Sequence, residues 1–133
     1  MSDVMRMFGL KAVVTDAASG IGEAITRTFV KQGAEVLAVD AASSGIDTHY
    51  RKVSGVTGVE LDMTAADASL QLVNAVKSTL GSLDIVVANF DWHGDAPIGD
   101  ADSAASEDLA KRMCSRITAI ADSSLPLLQK SPA

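Results

Sequence analysis

Between residues 10 and 40 the chain reads LKAVVTDAASGIGEAITRTFVKQGAEVLAVD, and this stretch constrains the fold more than any other. The apolar run Ala12-Val13-Val14 ends in a glycine-bearing turn, which leads straight into a segment with Ile21, Ile25 and Phe29 at four-residue intervals. Such a pattern predicts a strand, a tight turn and an amphipathic helix. A second apolar run, Val36-Leu37-Ala38-Val39, follows Gly33 and stops at Asp40, so the unit reads as a βαβ of about 30 residues. Its first helix would present free N–H groups and a positive dipole end beside the strand's C-terminal edge, where a phosphate can rest.

Ser19, Gly20, Ile21 and Gly22 are the candidate cofactor-binding residues of the turn. Without a Cβ, Gly20 lets a phosphate or ribose approach the backbone, and Gly22 lets the helix pack close to the sheet. The helix is expected over 21–32, burying Ile21, Ile25 and Phe29 and stopping at Gly33. The second strand, over 35–40, ends in Asp40, 18 residues beyond Gly22. A carboxylate there can hydrogen-bond the adenosine ribose hydroxyls and repel a 2′-phosphate, so NAD is expected rather than NADP. The plainer alternative is a surface carboxylate at a strand end.

The lead-in, 1–9, offers Met5, Met7 and Phe8 for packing under the sheet. Residues 41–57 read as a solvated loop, with or without a short helix, in which Arg51 or Lys52 would border an adenosine pocket in the sharper reading. A third strand is expected over 58–61, with Asp62 just beyond it as a further candidate. Thr64 and Asp67 form a loose capping box for a helix carrying Leu72, Val73, Val76 and Leu80 and ended by Gly81. The fourth strand, over 83–88, reads LDIVVA and leads to Asn89, on the sheet edge where ligands bind in open α/β sheets. Asn89 could equally hydrogen-bond backbone across adjacent strand ends, and Asp62 could simply begin a loop or helix.

A long helix is expected over 103–125, with Leu109, Met113, Ile117 and Ile120 or Ala121 as its apolar series and Pro126 limiting or kinking it. Lys111, Arg112 and Arg116 fall on its other faces, most simply solvated. Four parallel strands joined by right-handed crossovers give an α/β, Rossmann-like three-layer α-β-α architecture with strand order 3-2-1-4. Residues 1–133 are expected to form one dinucleotide-binding domain, incomplete because the apolar fourth strand is left at an edge.

Charge and cysteine content narrow the function. A formal charge of -6, with no dense basic patch, argues against nucleic acid. One cysteine, Cys114, cannot form an internal disulfide and reads as packing, no run nears the roughly 18 apolar residues of a membrane span, and the start lacks a secretory h-region. The expected location is the cytoplasm. Asp91, His93 and Asp95 lie within five residues, yet loop carboxylates beside one histidine seldom converge on a metal, so none is expected. Phe90 and Trp92 could stack on a ring but read first as caps on the sheet edge, His93 as an acid/base group would lack a partner arrangement, and His49 reads as surface.

Thr15-Asp16-Ala17-Ala18-Ser19-Gly20-Ile21-Gly22 resembles the cofactor turn of the short-chain dehydrogenase/reductase family, Thr-Gly-x-x-x-Gly-x-Gly. Leu83 to Asn89 resembles that family's fourth strand and the start of its Asn-Asn-Ala-Gly loop, Asp62 its adenine-contacting aspartate, and Leu125-Pro126 the Leu-Pro near the end of its long helix. The resemblance spans residues 8 to 130, the family's cofactor-binding half. It implies an NAD(H)-dependent oxidoreductase acting on a carbonyl or alcohol, and a homo-oligomer formed through the long helix; the exposed edge of the fourth strand is the alternative contact. The chain departs from the family pattern at Asp16, Ala88, Phe90, Asp91 and Met113.

Carbonyl reduction also needs a proton donor at the substrate oxygen. The only tyrosine, Tyr50, is placed on the adenosine side, and Lys52 lies two residues from it rather than four, so no catalytic residue is assigned. The family's catalytic serine and Tyr-x-x-x-Lys pair belong to later segments, and hydride transfer is expected only with further C-terminal residues. The competing reading is a non-catalytic nucleotide-binding or oligomerising protein. A P-loop regulatory domain ranks lower because its lysine is lacking. The substrate has no signature.

Overall fold

The computed structural model describes residues 6–89 and 103–133. Four strands, β1 (Lys11–Thr15), β2 (Glu35–Asp40), β3 (Val56–Glu60) and β4 (Ile85–Val87), form one parallel sheet in the order β3-β2-β1-β4. Helix α1 (Gly20–Lys31) links β1 to β2. A single 3-10 turn, Ala42–Ser44, and α2 (Ile46–Tyr50) link β2 to β3. Helix α3 (Ala68–Thr79) links β3 to β4, and α4 (Ser103–Leu128) follows.

Alternation along the inner strands splits the core into two layers. Val13, Leu37 and Val39 face α3 and α4, where they meet Leu72, Val76, Leu83 and Ile120. Ala12, Val14, Val36 and Ala38 face α1 and α2, where Ile25, Phe29, Ile46 and Tyr50 pack on them. Both faces of β1 and β2 are covered, which is why their sequences are continuous apolar runs. The result is the three-layer, Rossmann-like α/β fold expected from the βαβ pattern.

Register is secured at the sheet's lower end by Asp84. Its Oδ2 accepts from Lys11 N–H at 2.8 Å, its own N–H donates to the Lys11 carbonyl at 2.8 Å, and Ser131 Oγ donates to its Oδ1. One carboxylate therefore joins β1, the start of β4 and the chain beyond α4.

Several local expectations are corrected. Ile21 is 69% exposed, because the face of the first turn of α1 that packs inward is the one carrying Gly22; Gly22 and Thr26 are the buried residues of that helix. Phe8 is 79% exposed, whereas Met7 packs on the core; Met5 lies outside the described residues. Residues 41–57 are not simply solvated, since Ile46 and Tyr50 are fully buried. β3 begins two residues earlier than expected, and β4 covers only three residues. Asp67 precedes α3 without a side-chain cap, because Thr64 bonds Asp62 instead. Pro126 lies within the last turn of α4 rather than ending it.

Candidate functional site

The turn from β1 into α1 is held from beneath. Ala17 N–H donates to the Val39 carbonyl at 3.2 Å, and Ala18 N–H donates to Asp40 Oδ2 at 3.0 Å. The other carboxylate oxygen of Asp40 accepts from Ala41 N–H at 2.7 Å. From α2, Tyr50 Oη donates to the Ala17 carbonyl at 2.5 Å. Two backbone positions make the bend: Asp16 adopts a φ of 52° and Gly20 a φ of 59°. Gly22 has a different duty, since a Cβ there would lie 2.1 Å from the Asp16 carbonyl oxygen. The helix can start this close to the turn only if residue 22 has no side chain.

Ser19 occupies the N-cap of α1 in an extended conformation with no side-chain capping bond. Its carbonyl accepts from Glu23 N–H at 3.3 Å. The N–H groups of the first helical turn have no intrahelical acceptor, and a Cβ at Gly20 would meet nothing within 4 Å. This combination leaves the start of α1 open at the sheet's C-terminal edge, the kind of position at which helix N–H groups can receive an anion.

The neighbouring strand ends supply the rest. Thr15 Oγ1 accepts from Asn89 N–H and donates to the Asn89 carbonyl, both at 2.8 Å, which locks the end of β4 to the end of β1. That bond uses the backbone of Asn89 and leaves its side chain lining the site. Asp62 Oδ1 accepts from the Thr64 hydroxyl at 2.5 Å and from Thr64 N–H at 2.9 Å. These two bonds, with the Arg116 guanidinium nearby, hold the Asp62 carboxyl below its ordinary range.

A cavity of about 540 Å³ brings Ser19, Asp40, Asp62 and Asn89 together, with Asp16, Ser43, Ser44 and Arg116 also on its wall. Gly20, Ile21 and Gly22 are not among the residues that line it: the first two begin α1, and Gly22 packs against the Asp16 backbone. Arg116 is the one basic side chain among the described lining residues, set against the carboxylates of Asp16, Asp40 and Asp62. Its place corrects the solvated reading; the signal was its position one helical turn beyond Met113. Arg51 instead pairs with Asp47 at 3.1 Å, and His49 with Glu23. Tyr50 is not a group of the adenosine pocket, because burial commits its hydroxyl to Ala17.

Phe90, Asp91, Trp92, His93 and Asp95 lie outside the described residues. Among the described residues no group of three or more His, Cys, Asp or Glu is placed to hold a metal ion, and no helix is long and apolar enough to cross a membrane. Cys114 is exposed on α4 rather than packed.

Residues 11–132 match the short chain dehydrogenase family. L-fucose dehydrogenase of Mus musculus is 36% identical over 104 residues, covering 78% of this chain and 38% of that protein. The 3-oxoacyl-(acyl-carrier-protein) reductase FabG of Thermotoga maritima is 34% identical over 89 residues, 64% of this chain and 36% of its own. The chain thus spans well under half the length of these relatives. Among solved structures, L-sorbose reductase of Gluconobacter frateurii, complexed with NADPH and L-sorbose, superposes with a TM-score of 0.77 at 25% identity, covering 93% of this chain and 49% of that one. This finding overturns the expectation of NAD. The physical reason lies in Asp40, whose two oxygens are engaged by the Ala18 and Ala41 N–H groups, so that its charge braces the turn.

Proposed function

The chain belongs to the short-chain dehydrogenase/reductase family, and from that premise we propose that it holds NADP(H) across the β1–α1 turn for hydride transfer to or from a carbonyl or alcohol. Residues 1–133 act in this reading as one dinucleotide-binding domain of a cytoplasmic enzyme. The observation that carries it is the uncapped start of α1, open at Gly20 and set on the rim of a cavity walled by Asp40, Asp62 and Asn89.

The residues present fit such a cofactor. The first-turn N–H groups of α1 would take the pyrophosphate, and the bare backbone of Gly20 admits it. The hydroxyls of Ser43 and Ser44 and the guanidinium of Arg116 are donors on the cavity wall for the adenosine half. When bound, the nicotinamide supplies or accepts the hydride. The proton donor is assigned outside the described residues, because the only tyrosine is buried under the turn. Self-association is assigned to the Met113–Ile117 face of α4 or to the outer edge of β4.

A second reading, a non-catalytic chain, is favoured by one observation: Asp16, Asp40 and Asp62 put three carboxylates on a cavity meant for an anionic ligand. Calorimetric titration with NADPH, on protein whose solution mass has been measured, separates the two. Saturable binding is expected, tightened about five- to tenfold by Asp16→Gly, which removes one charge of the ligand's sign. Absence of heat with both folded proteins would establish the second reading, and a strictly monomeric mass would remove the self-association.

A further inference from the structure

Tyr50 belongs to the segment between β2 and β3, far in sequence from the turn it touches. It is 1% exposed, and its hydroxyl donates to the carbonyl of Ala17, 33 residues earlier. That carbonyl and the N–H of Ala18 are two ends of one peptide unit, and the N–H is bonded to Asp40 Oδ2. Turning this planar unit about its flanking bonds would break both hydrogen bonds, so they hold its orientation. Its orientation fixes the direction in which the chain runs through Ser19 to the first N–H groups of α1.

The grip has its own support. Arg27, on α1, stacks over the Tyr50 ring at 5.3 Å, and His49 meets the same ring edge-on at 4.7 Å. Glu23, also on α1, pairs with both His49 and Arg27. Beneath α2, Gly58 of β3 leaves room for the helix backbone, since a Cβ there would lie 2.6 Å from the Ile46 carbonyl oxygen. Burial raises the pKa of the Tyr50 hydroxyl, with Thr26 opposing, so the group stays protonated and remains a donor.

Resting on the cofactor reading above, we propose that Tyr50 is a positioning residue, which aims the pyrophosphate-binding N–H groups of the turn by holding the Ala17–Ala18 peptide. Its contribution belongs to the phosphate end of the site and not to the adenosine end. The ring itself never touches the ligand.

The test compares Tyr50→Phe with Val76→Ala, a core truncation on the opposite face of the sheet, both titrated well below their melting temperatures. The probes are NADPH and adenosine 2′-monophosphate, which has the adenine, ribose and 2′-phosphate but no pyrophosphate. Tyr50→Phe should weaken NADPH about five- to tenfold, the effect of one buried hydrogen bond, and leave adenosine 2′-monophosphate within about twofold. Val76→Ala should leave both unchanged. Equal weakening of both probes by Tyr50→Phe, or of NADPH by both variants, would reduce Tyr50 to a stabilising residue and overturn the proposal. Unaltered NADPH binding by Tyr50→Phe would do the same. Failure of the unmodified protein to bind NADPH counts against the cofactor reading itself, and is thereby distinguished from these outcomes.

Discussion

Replacing Gly22 with alanine sets two effects of known sign against each other. Within a helix the exchange is worth up to about 1 kcal/mol in favour of alanine. Against it stands the new Cβ, 2.1 Å from the Asp16 carbonyl oxygen, 2.9 Å from the Asp16 carbonyl carbon and 3.0 Å from Ala17 Cα. The obstruction is backbone, so no side chain can swing away, and Asp16 already has a φ of 52°. Overpacking costs about 1–3 kcal/mol and occasionally more, and a backbone obstruction belongs at the upper end. The clash therefore wins, for a net loss of about 2 kcal/mol.

Gly20→Ala is the matched control, because its constraint is of the opposite kind. Space is free there, but the φ of 59° costs a Cβ-bearing residue about 1–2 kcal/mol. In a chain of this size a loss of 2 kcal/mol lowers Tm by about 6–10 °C. Urea midpoints and thermal melts followed by circular dichroism would read both variants. Gly22→Ala should fall below Gly20→Ala in stability. A Gly22→Ala protein as stable as the parent would refute the close approach of α1 to the turn.

Glu23 has its carboxyl held below the ordinary value by the hydrogen bond and charge of His49 and by Arg27. A depressed carboxyl contributes stability that is present above its unfolded pKa and lost as pH falls through the folded one. The urea midpoint of the parent should exceed that of Glu23→Gln above about pH 5, and the two should converge in acid; a gap independent of pH would contradict the pairing. Asp84→Ala removes acceptors from Lys11 N–H and Ser131 Oγ and should cost about 1–3 kcal/mol in urea unfolding. It should also speed hydrogen exchange in β4, and unchanged exchange there would mean that Asp84 does not hold the strand.

The conformational roles of Gly20 and Gly22 in the β1–α1 turn and the helix stops at Gly33 and Gly81 are legible in the sequence, because each depends on neighbours a few residues away. Gly33 and Gly81 indeed take φ values of 96° and 79°. Misreadings fell where the deciding partner is remote. Ile21 has the right spacing for a buried face, yet in that turn it is Gly22 that packs inward, against the Asp16 backbone, and Ile21 is exposed. Thr64 has the right spacing for a capping box, yet Asp62 competes successfully for its hydroxyl.

Sequence alone determined that this chain builds a βαβ unit with a glycine turn at the end of its first strand. Periodicity and backbone freedom act over one or two turns of chain, and they are written in the residues themselves. Tertiary structure decided the fate of the long-range partners. It turned Asp40 onto the turn N–H groups, buried Tyr50 under Ala17 and brought Arg116 to the cavity wall. These contacts depend on parallel register and on the sheet face to which each crossover returns, and both are set only when the whole core packs.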